Sequence, residues 1–297
     1  MGKSGFVAIS GQPNVGKSTM LNGFLKEKVA IISKKPETTR DNIRGVLTEN
    51  ACQIIFVDTP GIHKPHDLLG KIMLTRAQST LMESDIILFV TDPRSAFNKD
   101  DENIFNRLPK PEENKKVIFV INKADKLKEK KRLLPLIKKA KSLYPFNEIV
   151  PICALKQNDL DELLEVIKSY LPEGPLLYPE DQLTDKTNEF MIQEIIREKV
   201  LTETYEEVPH SVAVVIDEIT DSAKGPLKIY ATIFVERTSQ KAIVIGKDGS
   251  MMKKIGETAR IDIEKLLERG VYLNLWVKVY KKWKENPSAL REMGYSD

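Results

Sequence analysis

The sequence predicts an α/β fold: a doubly wound, mostly parallel sheet with helices on both faces, followed by a smaller α+β domain. Three observations carry this. The first half alternates short apolar runs with helix-patterned stretches. Several of those runs, QIIFVD and KVIFVIN among them, are continuously apolar, as strands covered on both faces of a parallel sheet must be. Between Leu171 and Thr184 the texture breaks at Pro172, Pro175 and Pro179, a spacing that no helix survives. The 297 residues exceed one ordinary domain. The predicted division is 1–172 for the first domain, 173–185 for an extended linker and 186–297 for the second.

The elements follow in order. FVAIS opens the sheet and leads through a glycine-rich turn into a helix over Lys17–Leu25. GVL and CQIIF flank a tight turn at TENA, which predicts a hairpin and one antiparallel edge strand. DIILFVTD, KVIFVIN and EIVPICA are the later strands, with helices over Leu127–Leu143 and Leu160–Tyr170. Beyond the linker, Thr187–Tyr205 reads as an amphipathic helix with Phe190, Ile192, Ile195, Ile196 and Val200 on or near one face. SVAVVIDEI and LKIYATIFVE are strands joined by a turn at Ala223–Pro226. KAIVI reads as a third, short strand. A helix over Ser250–Leu267, a strand VYLNLWVKVY and a polar tail complete the chain.

Composition excludes several classes. Hydrophobic residues are 41% and charged residues 30%, as in a soluble globular protein. No apolar run approaches the roughly 20 residues that span a bilayer, and the N-terminal stretch lacks a signal-peptide pattern. Cys52 and Cys153 lie far apart, which argues against a disulfide framework and for a reducing cytoplasm. No zinc-ligand spacing occurs. The net charge is +3, but Lys241–Lys284 holds 11 basic and 5 acidic residues, a net of +6. That asymmetry points to a polyanionic partner for the C-terminal part.

GQPNVGKS, Gly11–Ser18, matches the phosphate-loop pattern G-x-x-x-x-G-K-[S/T] between a strand and a helix. Main-chain N–H groups of Gly11, Gln12, Pro13–Gly16 and Thr19 and the helix N-terminus would cradle phosphates, Pro13 itself contributing no N–H. Asn14, Val15 and Gly16 shape the turn, Lys17 would meet the terminal phosphates, and Ser18 would place its hydroxyl on Mg²⁺. DTPG ends a strand. Asp58 would hold Mg²⁺ through a water, Thr59 and Pro60 carry the turn, and the Gly61 N–H would meet the γ-phosphate. In PETTRD, Thr38 or Thr39 would close on Mg²⁺, Thr39 being favoured. NKAD sets the base: an Asp125 carboxylate pairs with the guanine N1–H and 2-amino group, donors that adenine lacks. Asn122 would tie the loops together, the Lys123 stem would pack along the base, and in Cys153–Ala154–Leu155 the Ala154 N–H would face the guanine 6-oxo group. The reaction class is phosphoryl transfer from GTP to water, leaving GDP, and it runs mainly by positioning and charge stabilisation. Lys17, Asn14, Thr39 and Gly61 are the candidate catalytic groups. Ile62 follows DTPG and cannot orient a water, which predicts slow intrinsic hydrolysis. The Asn14 amide is the candidate ligand for an activating potassium ion beside the phosphates.

These motifs, followed by VIGKDGSMMKKIG in a small C-terminal domain, resemble the Era family over essentially the whole chain. The resemblance implies a P-loop GTPase domain joined to a KH domain, binding near the 3′ end of small-subunit (16S) ribosomal RNA and action in small-subunit maturation. The hydrophobic residue at Ile62 agrees with the family pattern; Cys153 stands where serine is more usual. In KH domains the Ile245–Gly246–Lys247–Asp248–Gly249–Ser250 turn joins two helices and lies against single-stranded sugar-phosphate. Lys247, Lys253 and Lys254 would attract phosphates, and Ile243, Ile245 and Ile255 would floor the base groove. Element order suggests the type II arrangement. Tyr280 and Trp283 are candidates for stacking on bases, Trp283 equally a cover for the domain edge. The expected partners are ribosomal RNA and the small ribosomal subunit. A monomer in the cytoplasm is expected, with peripheral association of the basic end with the inner membrane surface. The alternative is a signalling GTPase whose C-terminal domain binds a protein or a membrane.

Overall fold

The computed structural model describes all residues except 1, 34, 36–37, 51, 63, 111–114, 206–207, 222–224 and 296–297. Pro36 and Glu37 of PETTRD, Ala51 of the TENA turn and Ala223 and Lys224 of the predicted second-domain turn therefore lie outside the described residues. The chain divides into two compact units, the second taking Lys186–Asp297 together with Ile31–Thr38 and Asp67–Leu69.

The first unit is built on a six-stranded sheet. Its strands are β1 (Lys3–Gly11), β2 (Ile43–Glu49), β3 (Cys52–Asp58), β4 (Ile86–Thr91), β5 (Lys116–Ile121) and β6 (Glu148–Pro151), in the order β2-β3-β1-β4-β5-β6. β2 runs antiparallel to β3, and the other pairings are parallel. The helices are α1 (Lys17–Leu25), α2 (Leu68–Glu83), α3 (Lys99–Phe105), α4 (Leu133–Leu143) and α5 (Gln157–Tyr170). Every residue of β4 is buried, the physical reason that its sequence shows no alternation. The predicted helix over Leu127–Leu143 proves shorter: only Leu133–Leu143 is α-helical, preceded by a single 3-10 turn at Lys130–Arg132. Strand β1 ends where β3 and β4, on either side of it, also end, so the loops after these central strands converge at one edge of the sheet.

The prolines do keep 173–185 free of helix, yet the segment is held on the first unit. Ser4 N–H donates to Pro172 O at 3.2 Å, Val46 N–H to Leu183 O at 2.9 Å and Gly174 N–H to Gly2 O at 3.0 Å. The buried Gln53 amide accepts from Leu177 N at 2.7 Å and Tyr178 N at 2.9 Å and donates to Tyr178 O at 2.9 Å.

The second unit contains α6 (Asn188–Glu203), β7 (Ala213–Thr220), β8 (Leu227–Val235), α7 (Thr238–Ile245), α8 (Ser250–Leu267), β9 (Val271–Val279) and α9 (Pro287–Glu292). Its sheet has the order β7-β8-β9, antiparallel then parallel. KAIVI is the end of a helix, not a strand. The parallel step from β8 to β9 needs a crossover, and α7 and α8 supply it. The polar tail is also folded: Ala289, Leu290, Met293 and Tyr295 are buried. Asn286 caps α9 and Pro287 begins it. α6 is held on the second-unit segment Ile31–Thr38: Ile32 N–H donates to Glu198 Oε1 at 2.9 Å, and the buried Arg197 donates to Thr38 O.

Candidate nucleotide and nucleic-acid sites

The turn between β1 and α1 forms because Gly11 (φ 153°), Asn14 (φ 62°) and Gly16 (φ 103°) accept backbone angles that bulky residues avoid. Gly16 is also boxed in. A Cβ there would lie 2.3 Å from Asn122 Nδ2, and that nitrogen donates to Val15 O at 2.8 Å. Lys17 folds back under the loop, donating to Gln12 O at 3.0 Å and Gly11 O at 3.2 Å. Burial lowers its pKa to about 8, with Asp58 acting against the shift. An ammonium aimed into a ring of main-chain groups is a ready partner for phosphate oxygens.

Strand β3 delivers Asp58 to the same place. Ser18 Oγ donates to Asp58 Oδ2 at 2.6 Å, Thr39 Oγ1 donates to the same oxygen at 3.2 Å, and the two hydroxyls stand 3.1 Å apart. Asp58 is fully buried and its Oδ1 has no hydrogen-bond partner. Burial raises its pKa, while Lys17, Ser18 and Thr39 pull it down. Two hydroxyl oxygens beside a buried carboxylate that keeps one oxygen unsatisfied match the hard-oxygen donor set that Mg²⁺ takes. Gly61 lies against the loop: a Cβ there would sit 2.8 Å from Pro13. Ile62 is buried in the apolar core and its N–H donates to Gly11 O at 3.3 Å, so it fixes the turn rather than facing a water.

Asn122, the residue after β5, bridges two loops. Its Nδ2 holds Val15 O, and its Oδ1 accepts from Ala154 N–H at 2.9 Å. The Ala154 N–H expected to face guanine is therefore engaged by Asn122, because the bridge needs a donor on that side. Lys123, at φ 62°, donates to Asn14 O at 2.5 Å and pairs with Asp92 at 3.4 Å. Asp125 stands exposed at the loop's rim. The Cys153 thiol, raised in pKa by burial and then by its hydrogen bond to Asp125, stays protonated and steadies that carboxylate. Cys153 N–H donates to Asp159 Oδ2 at 2.7 Å, and Leu155 is exposed.

Sequence reading missed Asp92 and the contacts of the stretch after Thr39. Burial pushes Asp92 up, but hydrogen bonds from Arg94 outweigh it and hold the group at about 2. Its position at the C-terminal end of a central strand was the available signal. Asp41 pairs with Arg76 of α2 at 3.0 Å, and Asn42 Nδ2 donates to Thr80 Oγ1 at 2.7 Å, tying the Thr39 segment to α2.

In the second unit, Gly246 (φ 74°), Asp248 (φ 51°) and Gly249 (φ 75°) make a tight turn between α7 and α8. Lys247, Asp248 and Ser250 are exposed. Lys253 lies 4.0 Å from Glu257, and Lys254 pairs with Glu203 at 2.5 Å, so Lys247 is the least encumbered of the three. One expectation fails here, and one pair of alternatives is decided. Ile255 is fully buried in the core and cannot floor a groove, whereas Ile243 is exposed and Ile245 half-buried. Trp283 is fully buried, donates from Nε1 to Ser211 O at 3.0 Å and stacks on Tyr295, so it belongs to the fold and not to a base platform. Tyr280 meets Phe234 edge-on.

The family model described as 50S ribosome-binding GTPase matches residues 6–123, and the KH domain model matches residues 207–284. GTPase Era of Clostridium tetani is 47% identical over 296 residues, 99% of each chain. GTPase Era of Staphylococcus haemolyticus is 47% identical over 293 residues, covering 99% of this chain and 97% of the relative. Among solved structures, Era in complex with MgGDPNP and nucleotides 1506–1542 of 16S ribosomal RNA superposes with a TM-score of 0.96 at 47% identity, covering all of both chains. An Aquifex aeolicus Era variant bound to GDP and AlF4⁻ gives 0.95 at 48%, covering 99% of this chain and 100% of the other.

Proposed function

The chain belongs to the Era family of GTPases, and on that premise we propose that it is a GTP-driven switch in small ribosomal subunit assembly. It binds guanine nucleotide and hydrolyses GTP in the first unit. The KH domain of the second unit grips the single-stranded 3′ region of 16S ribosomal RNA. It works in the cytoplasm. The observation that carries the reading is the pairing of two glycine loops in one chain, one closed around a buried lysine and one open beside an exposed lysine.

The residues have these roles. The loop N–H groups and Lys17 bind the phosphates and offset charge as it spreads over the transferring group. Ser18, Thr39 and Asp58 would hold Mg²⁺, which would supply charge neutralisation to the phosphate oxygens. The Gly61 N–H meets the γ-phosphate. Asp125 selects guanine, with Asn122 and Lys123 fixing its loop. With Ile62 buried, no side chain there orients the attacking water, and intrinsic turnover is slow. The Asn14 amide oxygen would hold an activating potassium ion, which would add positive charge beside the phosphates. Wild-type hydrolysis is therefore faster in potassium than in sodium, and Asn14→Ala removes the difference; equal wild-type rates in both salts would overturn that role.

The test of the whole reading is RNA affinity by filter binding. A 16S 3′-end oligonucleotide is compared with its scrambled sequence, each with GDP and with a non-hydrolysable GTP analogue. Preference for the native sequence and a dependence on nucleotide are expected. Equal binding of both sequences would leave a GTPase that serves some other partner.

A further inference from the structure

One buried carboxylate of the first unit takes no part in the roles above. Asp101 of α3 is 1% exposed. Its Oδ2 accepts from Phe97 N–H at 2.7 Å and from Thr91 Oγ1 at 3.1 Å. Its Oδ1 accepts from Gln12 Nε2 at 2.6 Å. Asn98, which caps α3, accepts from the same Gln12 nitrogen at 2.7 Å and returns a bond from its Nδ2 to Gln12 Oε1 at 3.3 Å. The Gln12 amide is thus held at both its ends, and Gln12 itself is buried. Gln12 is the second residue of the phosphate loop, and its main-chain carbonyl accepts from Lys17 Nζ.

We propose that Asp101 and Asn98 are positioning residues for GTP binding, which clamp the Gln12 side chain and so hold the phosphate loop and Lys17 in the receiving shape. The inference rests on the reading of Gly11–Ser18 as the GTP loop. The bonds to Phe97 and Thr91 would serve α3 alone. The bond to Gln12 leaves α3 and ends in the loop, some 89 residues earlier in sequence. A buried carboxylate with three donors converging on it is costly to assemble and costly to disturb. A loop whose shape is fixed before the ligand arrives loses less on binding it.

The geometry dictates a polarity-swap test. In Asp101→Asn, the new carbonyl oxygen must stay on Phe97 N–H and Thr91, which turns the new NH2 against the Gln12 NH2. In Gln12→Glu, two carboxylates face each other. In the double variant Asp101→Asn with Gln12→Glu, the amide introduced on α3 donates to the carboxylate introduced in the loop. Asn98 Nδ2 adds a second donor, and the clamp re-forms on the Asp101 side with its polarity reversed, while Asn98 Oδ1, tied to Asp100 N–H and Asp101 N–H, loses the donor it had in Gln12. The full chain is used, with GTP affinity measured by fluorescent-analogue competition, kcat and KM by phosphate release, and the thermal midpoint of every variant. Asp101→Asn is expected to weaken GTP binding about 10-fold, one unsatisfied buried donor. Gln12→Glu is expected to weaken it about 100-fold, from like charges in a buried site. The double variant is expected to bind GTP about 3-fold or more tighter than Asp101→Asn, a coupling that independent sites do not show. KM should carry these losses while kcat stays within about 3-fold. If Gln12→Glu does not fold, Asp101→Asn against the double variant decides. The clamp is overturned if wild type binds GTP and either Asp101→Asn binds as tightly or the double variant is no better than Asp101→Asn. Failure of wild type to bind GTP would overturn the reading beneath it instead.

Discussion

Two loops in this chain turn through left-handed glycines, and they differ in what surrounds the turn. The loop at Gly11–Ser18 is braced from within: Asn122 reaches Val15, Lys123 reaches Asn14, and Lys17 reaches Gly11 and Gln12. The loop at Gly246–Gly249 has a glycine, Gly249, whose absent Cβ would meet nothing within 4 Å. A small ligand of fixed shape rewards a cage built in advance. A polymer backbone arriving from outside needs an unobstructed surface, so the glycine serves approach rather than packing.

That contrast can be broken by adding one methyl group at a time. Gly16→Ala should have the largest effect. The methyl would strike the Asn122 bridge at a φ of 103°, and nucleotide affinity should fall by about 100-fold or more, read by fluorescent GDP titration. Gly246→Ala comes next: its methyl would sit 2.7 Å from Met251 N at a φ of 74°. It should weaken RNA binding by about 10- to 30-fold with nucleotide affinity unchanged, as backbone strain of a few kcal/mol implies. Gly249→Ala carries only the cost of a left-handed alanine, about 1 kcal/mol, and should weaken RNA binding by about 5-fold. If it matches Gly246→Ala, the second loop is caged after all. Lys247→Ala should lower the slope of log affinity against log salt by about 1. Lys254→Ala should change that slope less, because Glu203 already neutralises the lysine; an equal change would mean that RNA displaces Glu203.

The same contrast explains what was legible in the sequence. The first loop's motifs are local: each is a few consecutive residues at a strand end, and strand ends converge in a parallel sheet whatever the rest of the chain does. The ties between them, such as Asp101 to Gln12, connect residues far apart, and no window of sequence contains both. KAIVI misled because four apolar residues in a row fit a strand or a buried helical turn equally. The better signal lay just before it, where Gln240 Oε1 accepts from Glu236 N–H and Arg237 N–H at the helix start. Trp283 was open between two roles for another reason. A tryptophan among lysines fits a stacking platform and a domain cover equally, and the choice falls to the cover only when the turn before β7 offers Ser211 O and the tail lays Tyr295 against the ring. Ile31–Thr38 is sequentially part of the first domain yet folds with the second unit, which only long-range contacts reveal.

The hydrogen bonds along 173–185 change how the chain should be cut. A proline-rich stretch between domains ordinarily invites proteases and marks the place to divide a protein into fragments. Here Gln53, Ser4 and Val46 hold it as an extra layer of the first unit. A protease of broad specificity should cut it slowly, and a fragment ending at Pro172 would strip Gln53 of three partners in a buried position. A fragment carried on to Asp185, where Arg44 pairs with the last carboxylate at 3.2 Å, keeps them all.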